Sequence, residues 1–352
     1  MKIIVLSDGK PGHYNQSLGI VQRLPACDAH WIDVRFRSKF RDNLLRCLMC
    51  LIGWMPLPRS LMHALLRWSC HDDTYVTISD ISSADCILST SSSVAAVNLL
   101  LGRIFRAKTV TCRRPSPLGT RDFDLAILPM LSWPRRHRKN ACKTVGVPNQ
   151  ILPANLDALK AALAHPDCPR IGVLIGGTDK HEHITEEDAA QLLVLLSAVA
   201  EKIGAEVLVT TSRRTPPPVR ECLANVLKSA PWCHLFVEPD DCALSATANP
   251  YQAILALSEL LIVTADSFSM VCEAASSGRP VIVLTLSPSR SREPKRYQVY
   301  RYLVERSIVH QCSLHNLAEQ VLQLLQEKRR PHPLDDTATA VDAICRLFER
   351  AI

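Results

Sequence analysis

Twice along this chain, short apolar runs of the kind that form β-strands alternate with amphipathic stretches of helical period, and a segment with neither pattern separates the two series. Such alternation fits parallel sheets with helices on both faces. In the first series, strands are read at Lys2–Ser7, Ala29–Val34, Cys86–Ser89, Lys108–Cys112 and Leu125–Leu128, with helices near Asn15–Leu24, Asp42–Ile52, Leu61–Trp68 and Val94–Phe105. Residues 139–153 (KNACKTVGVPNQILP) carry Gly146, Pro148 and Pro153 and read as a connection between domains. The second series has strands at Arg170–Ile175, Glu206–Thr211, His234–Val237, Glu259–Thr264 and Pro280–Leu284. Its helices fall near Thr185–Ile203, Val219–Leu227, Tyr251–Leu257, Met270–Ser276 and Leu314–Lys328.

The expected fold is therefore α/β: two doubly wound, Rossmann-like parallel-sheet domains, 1–150 and 151–330, facing a cleft. With 352 residues, 47% of them hydrophobic, the chain can build two cores. A last segment, 331–352, carries a helix at Asp336–Arg350 beyond Arg329-Arg330-Pro331, and it is expected to pack back across the domain junction.

Lys and Arg number 41 against 34 Asp and Glu, a formal net charge of +7. That suits acidic ligands or anionic lipid, and with no nucleic-acid-binding motif present no nucleic-acid partner is expected. The 14 Cys are scattered and the chain starts with a strand, so reduced thiols and a cytoplasmic location are expected. Cys47 and Cys50 form a lone CxxC with no second pair at zinc spacing, and are expected in a core or facing a membrane. The most apolar run, Leu44 to Leu57, is interrupted by Arg46, Pro56 and, just beyond it, Pro58, and is too short to span a bilayer. Segment 35–68 nevertheless mixes Arg35, Arg37, Lys39, Arg41, Arg46, Arg59 and Arg67 with Trp54, Trp68 and bulky aliphatics. This fits a helix lying on an anionic membrane, peripheral to an inner membrane, and equally an amphipathic helix packed on its own domain with a solvated basic face.

Ligands of open parallel sheets sit beyond the carboxyl ends of the strands. The first exit, Asp8-Gly9-Lys10-Pro11-Gly12-His13-Tyr14-Asn15-Gln16, precedes a helix, and Gly9, Lys10, Gly12, Asn15 and Gln16 could line an acceptor or phosphate loop. His13 is read as a general base, with Asp8 as the rival base. The plainer alternative is a turn capped by Asp8 and Asn15 with His13 solvated. Ser89-Thr90-Ser91-Ser92-Ser93 follow the third strand and could bind phosphate or cap the next helix.

In the second half, Gly176-Gly177-Thr178 end a strand and suit a diphosphate resting on backbone amides. Ser212, Arg213 and Arg214 leave the next strand, where arginine forks suit phosphate oxygens. The richest stretch is Thr264–Val281: Ser267 or Ser269 can cap a helix, and Glu273 can accept from both hydroxyls of a ribose. Asp72-Asp73 and Asp240-Asp241 read as ordinary loop pairs, so no metal site is expected.

An acidic residue in a Ser-rich helix, followed by Gly278-Arg279-Pro280 and an apolar strand, resembles the donor site of GT-B glycosyltransferases, especially the lipid-linked N-acetylglucosaminyltransferase of peptidoglycan synthesis. The ordered set DGKPGHYNQSLG (8–19), Gly176-Gly177, TTSRRTP (210–216), NPY (249–251) and TADSFSMVCEA (264–275) resembles the mitochondrial-fission, or elongated-mitochondria, family over nearly the whole chain. Plant members of that family are associated with dynamin recruitment, while bacterial relatives look like glycosyltransferases and are often labelled sugar-nucleotide epimerases. An epimerase is set aside here because an N-terminal GxGxxG and a Tyr-x-x-x-Lys pair are missing. The sequence departs from the family's pattern at Ser91-Ser92-Ser93, where Gly-Arg-Arg is usual, and at Met130-Leu131, where a His-Asp pair is usual.

The resemblance implies sugar transfer from a nucleoside-diphosphate donor to a cell-envelope saccharide, such as lipopolysaccharide, or to a lipid-linked acceptor, with no cofactor. Gly176, Gly177, Thr178, Ser212, Arg213, Arg214, Ser267, Ser269 and Glu273 would hold the donor, and His13 or Asp8 would activate the acceptor. The alternative is a non-catalytic adaptor of the same fold that binds a protein or a membrane.

Overall fold

The computed structural model describes residues 1–134, 138–163, 168–179, 181–239, 249–286 and 293–349. The chain forms two compact units, Met1–Gln150 with Asp335–Ile352, and Ile151–Leu334.

The first unit runs β1 (Lys2–Ser7), α1 (Pro11–Arg23), β2 (Asp28–Asp33), α2 (Lys39–Ile52), α3 (Arg59–Ser69), α4 (Asp72–Ser79), β3 (Cys86–Ser89), α5 (Ala95–Phe105), β4 (Lys108–Thr111), β5 (Leu125–Pro129) and β6 (Ala141–Thr144). All its strand pairs are parallel, in the order β2-β1-β3-β4-β5-β6. The order reverses between β1 and β3, the switch point where such sheets bind ligands. Alternate residues of each strand feed two layers: Ile4, Leu6 and Ile87 pack under α2, α3 and α5, whereas Ile3, Val5, Cys86 and Leu88 pack on the other face.

The second unit runs α6 (Pro153–Ala162), β7 (Arg170–Ile175), α7 (Glu186–Ile203), β8 (Glu206–Thr211), α8 (Pro217–Leu227), β9 (Cys233–Val237), α9 (Pro250–Leu257), β10 (Leu260–Thr264), α10 (Phe268–Ser276), β11 (Val281–Thr285), α11 (Arg296–Glu305), β12 (His310–Ser313) and α12 (Leu314–Glu327). Its parallel sheet has the order β12-β11-β10-β7-β8-β9, with the switch point between β7 and β10. Helix α7 shows why these sequences fold as they do. Thr185 and Asp188 form a reciprocal capping box, acidic residues fill its first turn, and Gly204 closes it in the left-handed conformation.

The final helix, α13 (Asp336–Glu349), belongs to the first unit. Its first residues fix it there. The Asp336 carboxylate accepts from the amides of Val145 (2.8 Å) and Gly146 (2.6 Å). Thr337 both accepts from the Asn149 amide (2.9 Å) and donates to its carbonyl (2.7 Å). Ala340, Val341, Ala343 and Ile344 then complete the layer beneath Ile3 and Val5.

Several sequence expectations need correction. Helix α1 starts at Pro11 rather than near Asn15, because proline suits the first helical position; Asn15 is inside the helix and caps nothing. The connection at 139–153 contains strand β6 and the start of α6. Asp72 and Asp73 form the first turn of α4, where carboxylates favour the positive end of the helix dipole, and are not a loop pair. Asp240-Asp241 lie outside the described residues. Cys47 and Cys50 are exposed, so neither is a core cysteine.

Candidate functional site

At the switch point of the first sheet, Asp8 follows β1 directly and its carboxylate is 7% exposed. His13, one turn into α1, places Nδ1 at 3.0 and 3.1 Å from the two Asp8 oxygens. Ser93 reaches the same carboxylate at 3.4 Å and is itself bonded to Ser91 at 2.7 Å. Burial alone would raise the Asp8 pKa, but the hydrogen bonds of His13 and Ser91 and the charge of Lys10 prevail and hold it well below the usual carboxylate range. An ionised Asp8 only accepts, so the His13 proton sits on Nδ1. On the other side of the ring, Arg113 donates to Nε2 at 2.9 Å, which leaves the lone pair there. Asp8 is thus a weak base by its environment and an orienting partner by its geometry.

The remaining residues of this loop divide. Gly9 takes φ +75° with open space where a side chain would begin, and Lys10 is exposed, 3.6 Å from Asp8. Gln16 turns back to the Gly12 carbonyl at 3.0 Å, and Asn15 is half-buried in α1. Ser91 and Ser93 do not cap α5, whose cap residue Val94 has no side-chain bond; they are tied to each other and to Asp8. Arg113 escaped the sequence reading. Its signal is the Arg113-Arg114 pair at the exit of β4, the neighbour of β3, whose own exit carries Ser91-Ser92-Ser93 where the family usually has Gly-Arg-Arg.

At the switch point of the second sheet the glycine loop is close-packed. A Cβ on Gly176 would lie 2.2 Å from the Asp266 carboxylate, and one on Gly177 would lie 2.2 Å from the Arg214 backbone. The amides of this loop are already engaged: Gly176 donates to Thr264 Oγ1 and Gly177 to Asp266 Oδ2, both at 2.7 Å, while Thr178 donates to the Arg214 carbonyl at 3.2 Å. The expectation of open amides awaiting a diphosphate is therefore corrected. Asp266 is buried, and burial raises its pKa despite the Gly177 amide, Thr264 and Arg214, which lies 3.6 Å away. Ser212 is used within its own turn, accepting from the Arg214 amide at 3.2 Å, and Arg213 is exposed.

Ser267 occupies the cap position of α10 without a side-chain cap bond, and Ser269, half-buried, lies inside the helix, so neither caps it as expected. Glu273 is 8% exposed and accepts from the Tyr251 hydroxyl at 2.6 Å. Asn249 and Pro250 set Tyr251 in place, since Asn249 caps α9 by accepting from the Tyr251 amide at 3.1 Å and Pro250 takes the first helical position. Burial and the adjacent Glu273 push the Tyr251 pKa well above its ordinary value, so it remains a donor.

A second cluster fastens the loop after β7. Arg296 at the start of α11 pairs with Asp179 at 2.6 Å and with Glu182, which also accepts from Tyr297. Asp179 is half-buried, which would raise its pKa, but Arg296 and the amides of His181 and Glu182 lower it to about 2. Among the described residues, no three His, Cys, Asp or Glu side chains converge as a metal site, and no helix is long and apolar enough to cross a membrane.

Two doubly wound parallel sheets, each with its polar loops at the switch point, define the GT-B class of fold. Solved structures agree. A putative UDP-N-acetylglucosamine 2-epimerase from Listeria monocytogenes superposes with TM-score 0.57 at 14% identity, covering 99% of this chain and 97% of that one. The UDP-GlcNAc 2-epimerase of Methanocaldococcus jannaschii, solved with UDP-GlcNAc and UDP, gives TM-score 0.55 at 15% identity over 99% and 100%. At such identities the likeness concerns the fold. Epimerases are thus among the proteins that share this fold.

The chain belongs to the Mitochondrial fission ELM1 family, whose pattern it matches over residues 11–348. Mitochondrial fission protein ELM1 of Arabidopsis thaliana is 25% identical across 98% of this chain and 90% of that protein. An uncharacterized protein of Rickettsia prowazekii is 32% identical over 111 residues, which span 32% of this chain and 30% of that protein.

Proposed function

We propose that this protein is a glycosyltransferase that moves a sugar from a nucleoside-diphosphate donor to a cell-envelope saccharide, such as lipopolysaccharide, or to a lipid-linked acceptor at the cytoplasmic face of the inner membrane. The observation that carries the reading is Glu273, a buried carboxylate oriented by Tyr251 beside the switch point of the second sheet. A carboxylate only accepts hydrogen bonds, and ribose hydroxyls are donors suited to it. Thr178, Ser212 and Arg213, on the loops after β7 and β8, and Ser269, one turn before Glu273 on α10, would hold the rest of the donor. In the first unit His13, held by Asp8, would take the proton from the acceptor hydroxyl as its oxygen attacks the anomeric carbon. The bond from that carbon to the diphosphate oxygen breaks, and Arg213 with Arg214 would meet the charge on the leaving group without a metal. The Methanocaldococcus jannaschii epimerase of this fold was solved with UDP-GlcNAc and UDP, which puts UDP first among the donors to try.

A second reading, a non-catalytic adaptor, is favoured by one observation: the amides of Gly176, Gly177 and Thr178 are satisfied within the protein. The test is thermal stability against UDP-, GDP-, CMP- and dTDP-sugars and the free nucleotides, followed by analysis of products. A ligand at about 100 times its Kd stabilises the folded state by about 2.7 kcal/mol, a shift of several degrees. A selective shift abolished by Glu273→Ala supports a donor site. Conversion of a UDP-sugar to its epimer without acceptor would replace transfer by epimerisation, and no shift with any member would favour the adaptor.

A further inference from the structure

Segment 35–68 contains seven Lys and Arg and a single acidic residue, Asp42, so this tenth of the chain carries +6 of the formal +7. The structure shows where that charge is displayed. Helix α2 is apolar on two sides. Leu45 and Met49 face the core, whereas Phe40, Leu44, Cys47 and Leu51 repeat at helical spacing on the opposite side, with Phe40 70% and Leu51 71% exposed. Helix α3 repeats the arrangement: Met62 and Leu66 are buried, while Leu61 is exposed and Trp68 half-buried. In the turn between the helices, Trp54 is 73% exposed and Met55 43%. The Trp54 indole N–H is satisfied internally by the Leu51 carbonyl at 2.9 Å, so its ring can enter an apolar phase with no polar group unpaired.

The turn is also held in this outward posture. Arg103 donates to the carbonyls of Gly53 and Met55, satisfying the end of α2. Arg37, Arg41 and Arg46 have partners within the unit, Asp72, the Trp68 carbonyl and Asp42. Arg35, Lys39, Arg59 and Arg67, by contrast, are exposed around the apolar side chains. A protein face would be expected to bring carboxylates as well as cations. Within 35–68 the one carboxylate, Asp42, is paired with Arg46, so exposed apolar side chains accompanied by exposed cations match a surface that is apolar beneath and anionic on top.

We propose that the α2–α3 hairpin docks on an anionic bilayer, with Leu51, Trp54, Met55 and Leu61 entering the headgroup boundary and Lys39, Arg59 and Arg67 contacting lipid phosphates. The inference rests on neither the donor site nor the base assigned above, because an adaptor would use this surface as well as an enzyme.

The experiment is flotation of the full-length protein with vesicles of phosphatidylcholine alone or mixed with phosphatidylglycerol, at about 0.05 and 0.5 M salt. Binding to the anionic vesicles should exceed binding to neutral ones by at least about tenfold and weaken at high salt. Leu51→Ser with Trp54→Ser should abolish it, as should Arg59→Glu with Arg67→Glu; since these side chains are exposed, the melting temperature should hold. Equal flotation with both vesicle types, or binding unchanged in either variant, overturns the proposal. So does a concentration-dependent dimer that the apolar variant dissociates, which would assign the face to a second copy of the chain.

Discussion

The Tyr251 hydroxyl donates to the Glu273 carboxylate at 2.6 Å, joining the start of α9 to the middle of α10 in the second unit. Glu273 is buried and Tyr251 is half-buried with its hydroxyl enclosed, so the bond is made where water competes little. Tyr251→Phe keeps the ring and deletes one donor to a charged acceptor, an interaction worth about 1.5–3 kcal/mol. Nucleotide affinity measured by calorimetry should fall about tenfold or more, with global stability reduced by a comparable energy. Unchanged affinity in a stable variant would remove Tyr251 from the positioning of Glu273.

Asp8 and His13 give a prediction in which pH separates structure from chemistry. The folded pKa of Asp8 lies below the ordinary carboxylate value of 3.8, so its contribution to stability is present above about pH 4 and is lost as pH falls below that. Asp8→Asn should flatten the acid limb of a melting-temperature profile between about pH 2 and 4. The same variant turns an acceptor into a possible donor toward Nδ1, favouring the tautomer with Nε2 protonated. If His13 is the base, turnover should then drop by about 100-fold or more. A variant that loses the acid limb and keeps its turnover would leave Asp8 structural and His13 uninvolved.

How much of this was legible in the sequence follows from burial. Strands covered on both faces, such as β1, β3, β7 and β10, are continuous apolar runs and were read to within a residue or two. The edge strands β6 (ACKT) and β12 (HQCS) pair on one side only and lack such runs, so neither stood out. Helix α4 (DDTYVTIS) is rich in β-branched residues that weaken a helical signal, and α6 begins at a proline that read as the end of a linker. The strand-exit loops at the switch points were legible because glycine, histidine and acidic residues stand out after apolar runs. Their partners were not. Arg113 meets His13 from 100 positions away and Tyr251 meets Glu273 from 22, and no local pattern encodes either pair.

Asp336 should titrate with the opposite sign to Asp8. Burial pushes it up to about 6, against the lowering effect of the Val145 and Gly146 amides. Between about pH 4 and 6 the folded state retains a proton that the unfolded chain has lost, so stability should decline as pH rises through that window. The full change is about 3 kcal/mol for a shift of this size. Asp336→Asn should abolish the slope, read from denaturant midpoints at pH 4, 5, 6 and 7. A slope that persists in the variant would assign it to another group.

Gly9 and Gly177 are both glycines of strand-exit loops, yet they should respond differently to alanine. At Gly9 the backbone is left-handed at φ +75° with open space around a Cβ, so the cost is conformational, about 1 kcal/mol. At Gly177 a Cβ would lie 2.2 Å from the Arg214 carbonyl carbon and oxygen, which belong to backbone that cannot rotate away. Relief requires the loop to shift, and that shift strains the 2.7 Å bond from the Gly177 amide to Asp266, leaving a buried carboxylate short of a donor. Overpacking of this kind costs about 1–3 kcal/mol before the hydrogen bond is counted. Gly177→Ala should therefore lower the denaturation midpoint more than Gly9→Ala and reduce nucleotide affinity with it. If instead Gly177→Ala is the milder change, the glycine loop is more open in solution than the packing against Arg214 and Asp266 implies, and its amides are available to a diphosphate after all.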